Sequence, residues 1–138
     1  MAIDTVLKTI LTEPQPLTDL SDPQWDVLIH SAQRMGLLGR VQYLLAADGL
    51  LDGIPEQPKM HLETARIVAD NERRIMRWEI NRLTRALRGL QVPILLLKGA
   101  AYMMTNLPVS NGRVSSDIDL LVHKRDLAAV EGALQAQG

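Results

Sequence analysis

The chain contains no cysteine and no phenylalanine, and aromatic residues make up only 3% of its 138 residues. Without cysteine it can form neither disulfide bonds nor thiolate metal sites, which fits a cytoplasmic setting. With so few aromatic rings, the core must be built from Leu, Ile, Val, Met and Ala, a mixture that favours helices. No stretch approaches the roughly 20 apolar residues of a membrane-spanning helix, so we expect no membrane association. The formal net charge of −1 argues against a general nucleic-acid coat protein.

Three short helices are predicted at the start of the chain. Apolar residues recur there at intervals of three and four over residues 3–11, 22–35 and 37–47. The first stripe begins with Ile3 and Val6, and the second ends with Met35. We therefore expect one side of each helix to face a common core.

A longer helix follows a predicted loop over residues 50–58. No glycine or proline interrupts the pattern from about Lys59 until Gly89, so the helix should end near Leu90. Together these helices predict a helical domain over residues 1–90. The long helix should bury one stripe, formed by Leu62, Ala65, Ala69, Met76, Ile80, Leu83, Leu87 and Leu90.

The opposite face of the long helix is charged and mostly basic. The favoured interpretation is a solvated face with internal ion pairs, for example from Asp70 to Arg73 or Arg74. A phosphate-binding flank that engages RNA is the less favoured interpretation, and a steep loss of affinity with salt would be its signature. The arginines are Arg66, Arg73, Arg74, Arg77, Arg82, Arg85 and Arg88.

A strand that ends at a Lys-Gly step follows the long helix. The run Ile94–Leu97 is apolar at every position, which predicts a strand buried on both faces. At Lys98 and Gly99 the chain should turn into a short helix, whose first backbone N–H groups can bind a phosphate that glycine allows to approach closely. A glycine after a strand is common, so this signal alone is weak.

Two aspartates, Asp117 and Asp119, lie two residues apart in a second predicted strand. Side chains alternate along a strand, so both should point to one face while Ile118 points to the other. Two neighbouring carboxylates repel each other unless a cation lies between them, and Mg²⁺ prefers such oxygen ligands. The segment from Lys98 to Asp119 is only 22 residues long, counting both ends. Together, the two features predict a site for a nucleoside triphosphate with magnesium.

The segments 96–102 and 112–122 together resemble the core signature of the nucleotidyltransferase superfamily, which has the polymerase-beta-like fold. They are most similar to a bacterial branch described only as uncharacterised nucleotidyltransferases. That branch carries Lys-Gly and an arginine shortly before the aspartates, matched here by Lys98 and Arg113. The resemblance implies a mostly helical α+β protein, in which an N-terminal helical bundle precedes a truncated β-α-β core over residues 91–138.

The activity implied by the resemblance is transfer of a nucleotide to a hydroxyl. The acceptor hydroxyl attacks the α-phosphate of a nucleoside triphosphate, and pyrophosphate leaves. Asp117 and Asp119 would be the catalytic residues that hold Mg²⁺ or Mn²⁺. The acceptor stays open among a small molecule, a protein and an RNA end. The triphosphate would contact the backbone of Gly99 and Ala100 and the side chains of Lys98 and Arg113.

The sequence departs from the superfamily pattern in two places. Gly99-Ala100 replaces the usual Gly-Gly or Gly-Ser, and no later strand supplies the third carboxylate. Asp126 and Glu131 are predicted on the last helix and are poor substitutes. We therefore expect the chain to be a fragment of a longer enzyme, and its small sheet to self-associate through an unpaired edge. The alternative is a non-catalytic nucleotide-binding or helical scaffold module.

Overall fold

The computed structural model of the protein describes residues 3–12, 17 and 20–136. These residues form six α-helices and one sheet of two strands. Helices dominate, so the predicted α+β, mostly helical class is confirmed. None of the helices in this part of the chain is both long and apolar enough to cross a membrane.

Contacts divide the chain into two compact units. The first comprises Met1–Asn71 and Asn111–Val114, and the second comprises Glu72–Ser110 and Ser115–Gly138. The long helix therefore contributes its first half to one unit and its second half to the other. The domain boundary expected near residue 90 stays a prediction.

The first unit is built on three short helices, which bury apolar stripes against each other. Helix α2 begins after Ser21, whose backbone N–H donates to Gln24 Oε1 at 2.8 Å and so satisfies a group that the first helical turn leaves free. The helices are α1 (Ile3–Thr12), α2 (Asp22–Arg34) and α3 (Leu38–Ala47). Their core consists of Leu7, Ile10, Trp25, Leu28, Ile29, Ala32, Leu38, Val41, Leu45, Ile54 and Leu62.

The predicted stripes hold with one exception. Met35 was expected to be buried, but α2 ends at Arg34 and Met35 is exposed at its C-terminal cap. The helical spacing no longer applies there, because the left-handed Gly36 (φ 65°) redirects the chain. The side chains of Ile3 and Val6 lie outside the described residues.

Helix α4 (Glu56–Leu87) begins three residues before the predicted start and ends three before the predicted end. The predicted loop over residues 50–58 is therefore shorter, with a 3₁₀ turn at Leu51–Gly53. Pro58 lies in the first turn of α4, where its missing N–H costs nothing because that group has no partner within the helix.

The first half of α4 contains the internal ion pairs that the sequence predicts, but with other partners. Arg66 binds Glu63 at 2.6 Å and Asp70 at 2.7 Å. Asp70 thus pairs with an arginine one turn before it in the helix. The hydrogen bond from Arg66 holds the pKa of the Glu63 carboxyl below its usual value.

The second unit contains an antiparallel sheet, formed by β1 (Ile94–Leu97) and β2 (Asp119–Val122). The strand β1 was predicted to be buried on both faces, and this is wrong. Leu95 lies opposite Leu121, and these two residues are 59% and 52% exposed. A strand pair buries both faces only when layers cover it on each side, and here one face is open.

The covered face of the sheet belongs to the core of the second unit. Leu96 and Ile118 pack against a cluster that contains Met76 and Ile80 of α4. Helix α5 (Lys98–Met104) adds Ala100 and Met103 to that cluster. Helix α6 (Leu127–Gln135) follows β2 and buries Val130. This packing fixes the end of β1 and the start of β2 beside each other.

Candidate functional site

Lys98 lies where β1 ends and α5 begins. Its backbone is left-handed (φ 51°), a conformation that costs energy for any residue other than glycine. In the strand register Leu97 is opposite Asp119, which brings Asp119 beside the turn. The Lys98 ammonium lies 3.2 Å from Asp119 Oδ2. The structure therefore brings together two of the predicted site residues from separate segments.

Gly99 is packed so closely that a larger residue would not fit. A Cβ atom built on Gly99 would overlap Ser115 Oγ and lie 3.0 Å from Ser115 Cβ. The loop before Asp117 thus rests directly on the phosphate-binding turn that the sequence predicts. The contact of Gly99 with Ser115 could not be predicted from the sequence, since a contact between residues sixteen apart leaves no periodic signal.

The side chain of Ala100 is not accessible to a ligand. Its methyl group is fully buried against Met103. The N–H groups of the first turn of a helix have no acceptor within the helix, so those at the start of α5 can bind an anion.

Asp117 precedes β2 rather than lying within it, because the strand begins at Asp119. Its carboxylate is exposed and accepts a hydrogen bond from Ser116 Oγ at 3.3 Å. Ile118, between the two aspartates, packs into the core of the second unit. The aspartates therefore flank an inward-pointing residue, as alternation predicts, while their convergence on one ion stays a prediction.

Arg113 belongs to the first unit, in the segment Asn111–Val114. Arg40 Nη1 donates to the Asn111 carbonyl at 3.2 Å, and Asn111 Nδ2 donates to Tyr43 Oη at 3.0 Å. The Arg113 side chain is exposed. Its role beside the triphosphate stays a prediction.

Comparison with known proteins assigns the chain to a family. The family model for uncharacterised nucleotidyltransferases matches residues 21–138. The chain belongs to the uncharacterised nucleotidyltransferase family. No curated protein and no solved structure shows significant similarity to it.

The match covers both segments that carry the candidate site of this nucleotidyltransferase-family chain, from Lys98 to Asp119. It also covers α2, α3 and α4 in full. The family assignment therefore includes the helical part as well as the strands.

The oxygen donors of the candidate site in this nucleotidyltransferase-family chain are of the kind that a small hard cation binds. Mg²⁺ commonly takes one or two carboxylates from the protein and completes its shell with water and substrate phosphates. Asp117 and Asp119 are the two carboxylates that the sequence predicts for such a cation, and the Lys98 ammonium lies beside Asp119. Within the described part of the chain, no cluster of three metal-ligating side chains is present. Asp126 is engaged instead with Arg125, 3.7 Å away.

Proposed function

We propose that the start of α5 and the start of β2 bind a nucleoside triphosphate and transfer its nucleotide to a hydroxyl group. The observation that carries the proposal is the contact of 3.2 Å between Lys98 Nζ and Asp119 Oδ2. It joins a strained, glycine-flanked turn to one of two acidic residues. Strained backbone conformations cluster at active sites and ligand-binding sites.

Asp117 and Asp119 would hold Mg²⁺, with Mn²⁺ as a substitute. When bound, the ion would neutralise triphosphate charge. The two carboxylates would orient the nucleotide through the ion they share, and Ser116 would steady Asp117 by the hydrogen bond to its Oδ1.

Lys98 would exchange Asp119 for the phosphates when the nucleotide binds. Its side chain is 74% exposed in the ion pair, and exposed pairs contribute only about 0–1 kcal/mol. Breaking this ion pair therefore costs little free energy. The backbone of Gly99 and Ala100 would donate to phosphate oxygens.

The reaction would form one phosphorus–oxygen bond and break another. The acceptor oxygen bonds to the α-phosphorus, the bond to the bridging oxygen of the β-phosphate breaks, and pyrophosphate leaves with that electron pair. The acceptor proton passes to solvent. Small molecules, protein hydroxyls and RNA ends are all acceptors to test, and we place the reaction in the cytoplasm.

A non-catalytic nucleotide-binding module is the second candidate. Its support is that no group of three metal-ligating side chains is present among the described residues. Such a module would bind the triphosphate without releasing pyrophosphate.

Calorimetric titration with ATP, CTP, GTP and UTP, with and without Mg²⁺, tests the proposal. We expect metal-dependent binding that is lost in the double variant Asp117→Asn and Asp119→Asn. The matched control, Asp26→Asn with Asp48→Asn, removes two exposed carboxylates of the first unit and should bind normally. Folded protein that binds no triphosphate with Mg²⁺ would contradict both candidates. Pyrophosphate release in the presence of acceptors then separates the enzyme from the module.

A further inference from the structure

A row of polar residues follows the solvent side of the second half of α4. Its members are spaced by four, four and three residues, so they share one face of the helix. The last member directly follows the final residue of α4. We call this the arginine row; it consists of Arg77, Asn81, Arg85 and Arg88.

The arginines of this row have no anionic partner in the part of the chain that the structure describes. Arg77, Arg85 and Arg88 are exposed and form no ion pair or side-chain hydrogen bond with those residues. Arg66, in the first half of the same helix, is held by two carboxylates. In the second half of α4, Arg82 also forms an internal ion pair, with Glu79 at 3.6 Å, but Arg77, Arg85 and Arg88 form none with the described residues.

The imbalance of charge is local. Residues 73–88 contain six arginines and one carboxylate, Glu79, although the whole chain has a net charge of −1. A local positive field of this kind attracts a polyanion even when the protein as a whole is nearly neutral. Basic residues near a helix C-terminus also interact favourably with the helix dipole, but that effect fades within the last turn and does not account for Arg77.

An exposed tryptophan lies next to the row. Trp78 is 55% exposed, whereas Trp25, the other tryptophan, is 1% exposed. The Arg82 guanidinium lies over the Trp78 ring, 4.8 Å from its centroid. The contact covers one side of the ring with a cation and leaves much of the indole open to solvent. A ring held in this way presents a surface on which a flat base can stack.

We propose that the arginine row and Trp78 bind single-stranded nucleic acid. Positions four residues apart on a helix rise by about 6 Å, so the arginines can meet successive phosphates along an extended strand. Trp78 supplies the stacking that every base accepts, whatever the sequence. An acidic protein would use the cations but not the ring, whereas a single strand uses both. The proposal does not depend on nucleotide transfer.

Fluorescence anisotropy with labelled oligouridine RNA and oligothymidine DNA, measured over a series of NaCl concentrations, tests the surface. We expect saturable binding that weakens steeply with salt. The variant Arg77→Gln with Arg85→Gln should lower the slope of log affinity against log salt by about 1.4, at about 0.7 per phosphate contact on a single strand. The control, Arg34→Gln with Lys124→Gln, removes two exposed cations elsewhere and should leave the slope unchanged.

The role of Trp78 is tested separately. Trp78→Leu should weaken binding by about 5- to 150-fold, and Trp78→Phe should recover most of the affinity because it restores a stacking ring. Binding should also quench the fluorescence of Trp78. The Trp78→Phe variant retains only the buried Trp25, so its fluorescence should not change on binding. Thermal unfolding of each variant verifies that it is folded.

Three results would overturn the proposal. They are an absence of saturable binding by the folded wild type, equal losses in the row variant and its control, and unchanged affinity in Trp78→Leu. Tighter binding of RNA than DNA would support the surface and identify RNA as its ligand, while equal affinities would support single strands of both kinds. The Asp117→Asn and Asp119→Asn double variant should bind the oligonucleotides normally, so this test and that of nucleotide binding can fail independently.

Discussion

The Lys98 ammonium lies 3.2 Å from Asp119 Oδ2, at the point where the strand pair ends. The lysine neutralises the aspartate that is expected to hold a cation. In the absence of nucleotide, the Lys98 ammonium and a metal ion therefore compete for the Asp119 carboxylate. Removing the lysine should change the metal affinity in a defined direction.

Replacing Lys98 with methionine should have opposite effects on metal and nucleotide. Without nucleotide, Mn²⁺ affinity should rise, because Asp119 loses a competing cation. Affinity for the triphosphate should fall by about tenfold, as expected when one charge-assisted contact of about 1.5 kcal/mol is lost. Titration of Mn²⁺ followed by electron paramagnetic resonance measures the first effect, and calorimetry measures the second. Lys124→Met serves as the control, and a fall in both affinities would contradict the competition.

Enlarging Gly99 should destabilise the second unit. The added Cβ of Gly99→Ala would overlap Ser115 Oγ, and overpacking of this kind costs about 1–3 kcal/mol. Urea unfolding followed by circular dichroism measures the loss. The double variant with Ser115→Gly should recover part of the stability, because it removes the atoms that the new methyl group meets.

A glycine with open surroundings should respond in the opposite direction. Gly132 lies within α6 and an added Cβ would meet no atom within 4 Å. Gly132→Ala should therefore stabilise the protein by about 0.5–1 kcal/mol, the usual difference between alanine and glycine in a helix. If both alanine variants changed stability by the same amount, the close fit at Gly99 would be wrong.

The ion pairs of α4 predict a pH dependence with a defined sign. The hydrogen bond from Arg66 lowers the pKa of Glu63 from its ordinary value of 4.5. A carboxyl with a lowered folded-state pKa stabilises the protein above its unfolded pKa, and this contribution is lost as the pH falls through the folded value. Titration followed by NMR should show the Glu63 midpoint rising in Arg66→Gln. An unchanged midpoint would show that the pair does not persist in solution.

The open sheet face predicts self-association. The sheet has only two strands, so its unpaired edges favour pairing with another chain, and the exposed apolar pair Leu95 and Leu121 adds an apolar surface beside them. Sedimentation velocity should detect a concentration-dependent dimer, and Leu121→Lys should weaken it. Val27→Lys, which changes an exposed residue of α2, is the matched control. Monomeric wild-type protein at all concentrations would remove this expectation.

Much of the fold was predictable because its signals are local. Helical spacing located α2, α3 and α4, and the buried members of the α4 stripe include Leu62, Ala69 and Met76. The ends of α4 were less predictable, since a first turn tolerates proline. The exposure of Leu95 was not predictable, because an all-apolar strand has the same sequence pattern whether one of its faces or both are covered.

The order of residues along the chain determined the periodic helices, the glycine turn after Lys98 and the alternation that separates Ile118 from its acidic neighbours. These features depend on backbone geometry over a few residues, so spacing alone reveals them. The tertiary structure decided which distant groups meet: Lys98 with Asp119, Gly99 with Ser115, and the segment of Arg113 with the first unit. Such contacts depend on strand register and on how side chains fill a core, and the spacing of residues along the chain predicts neither.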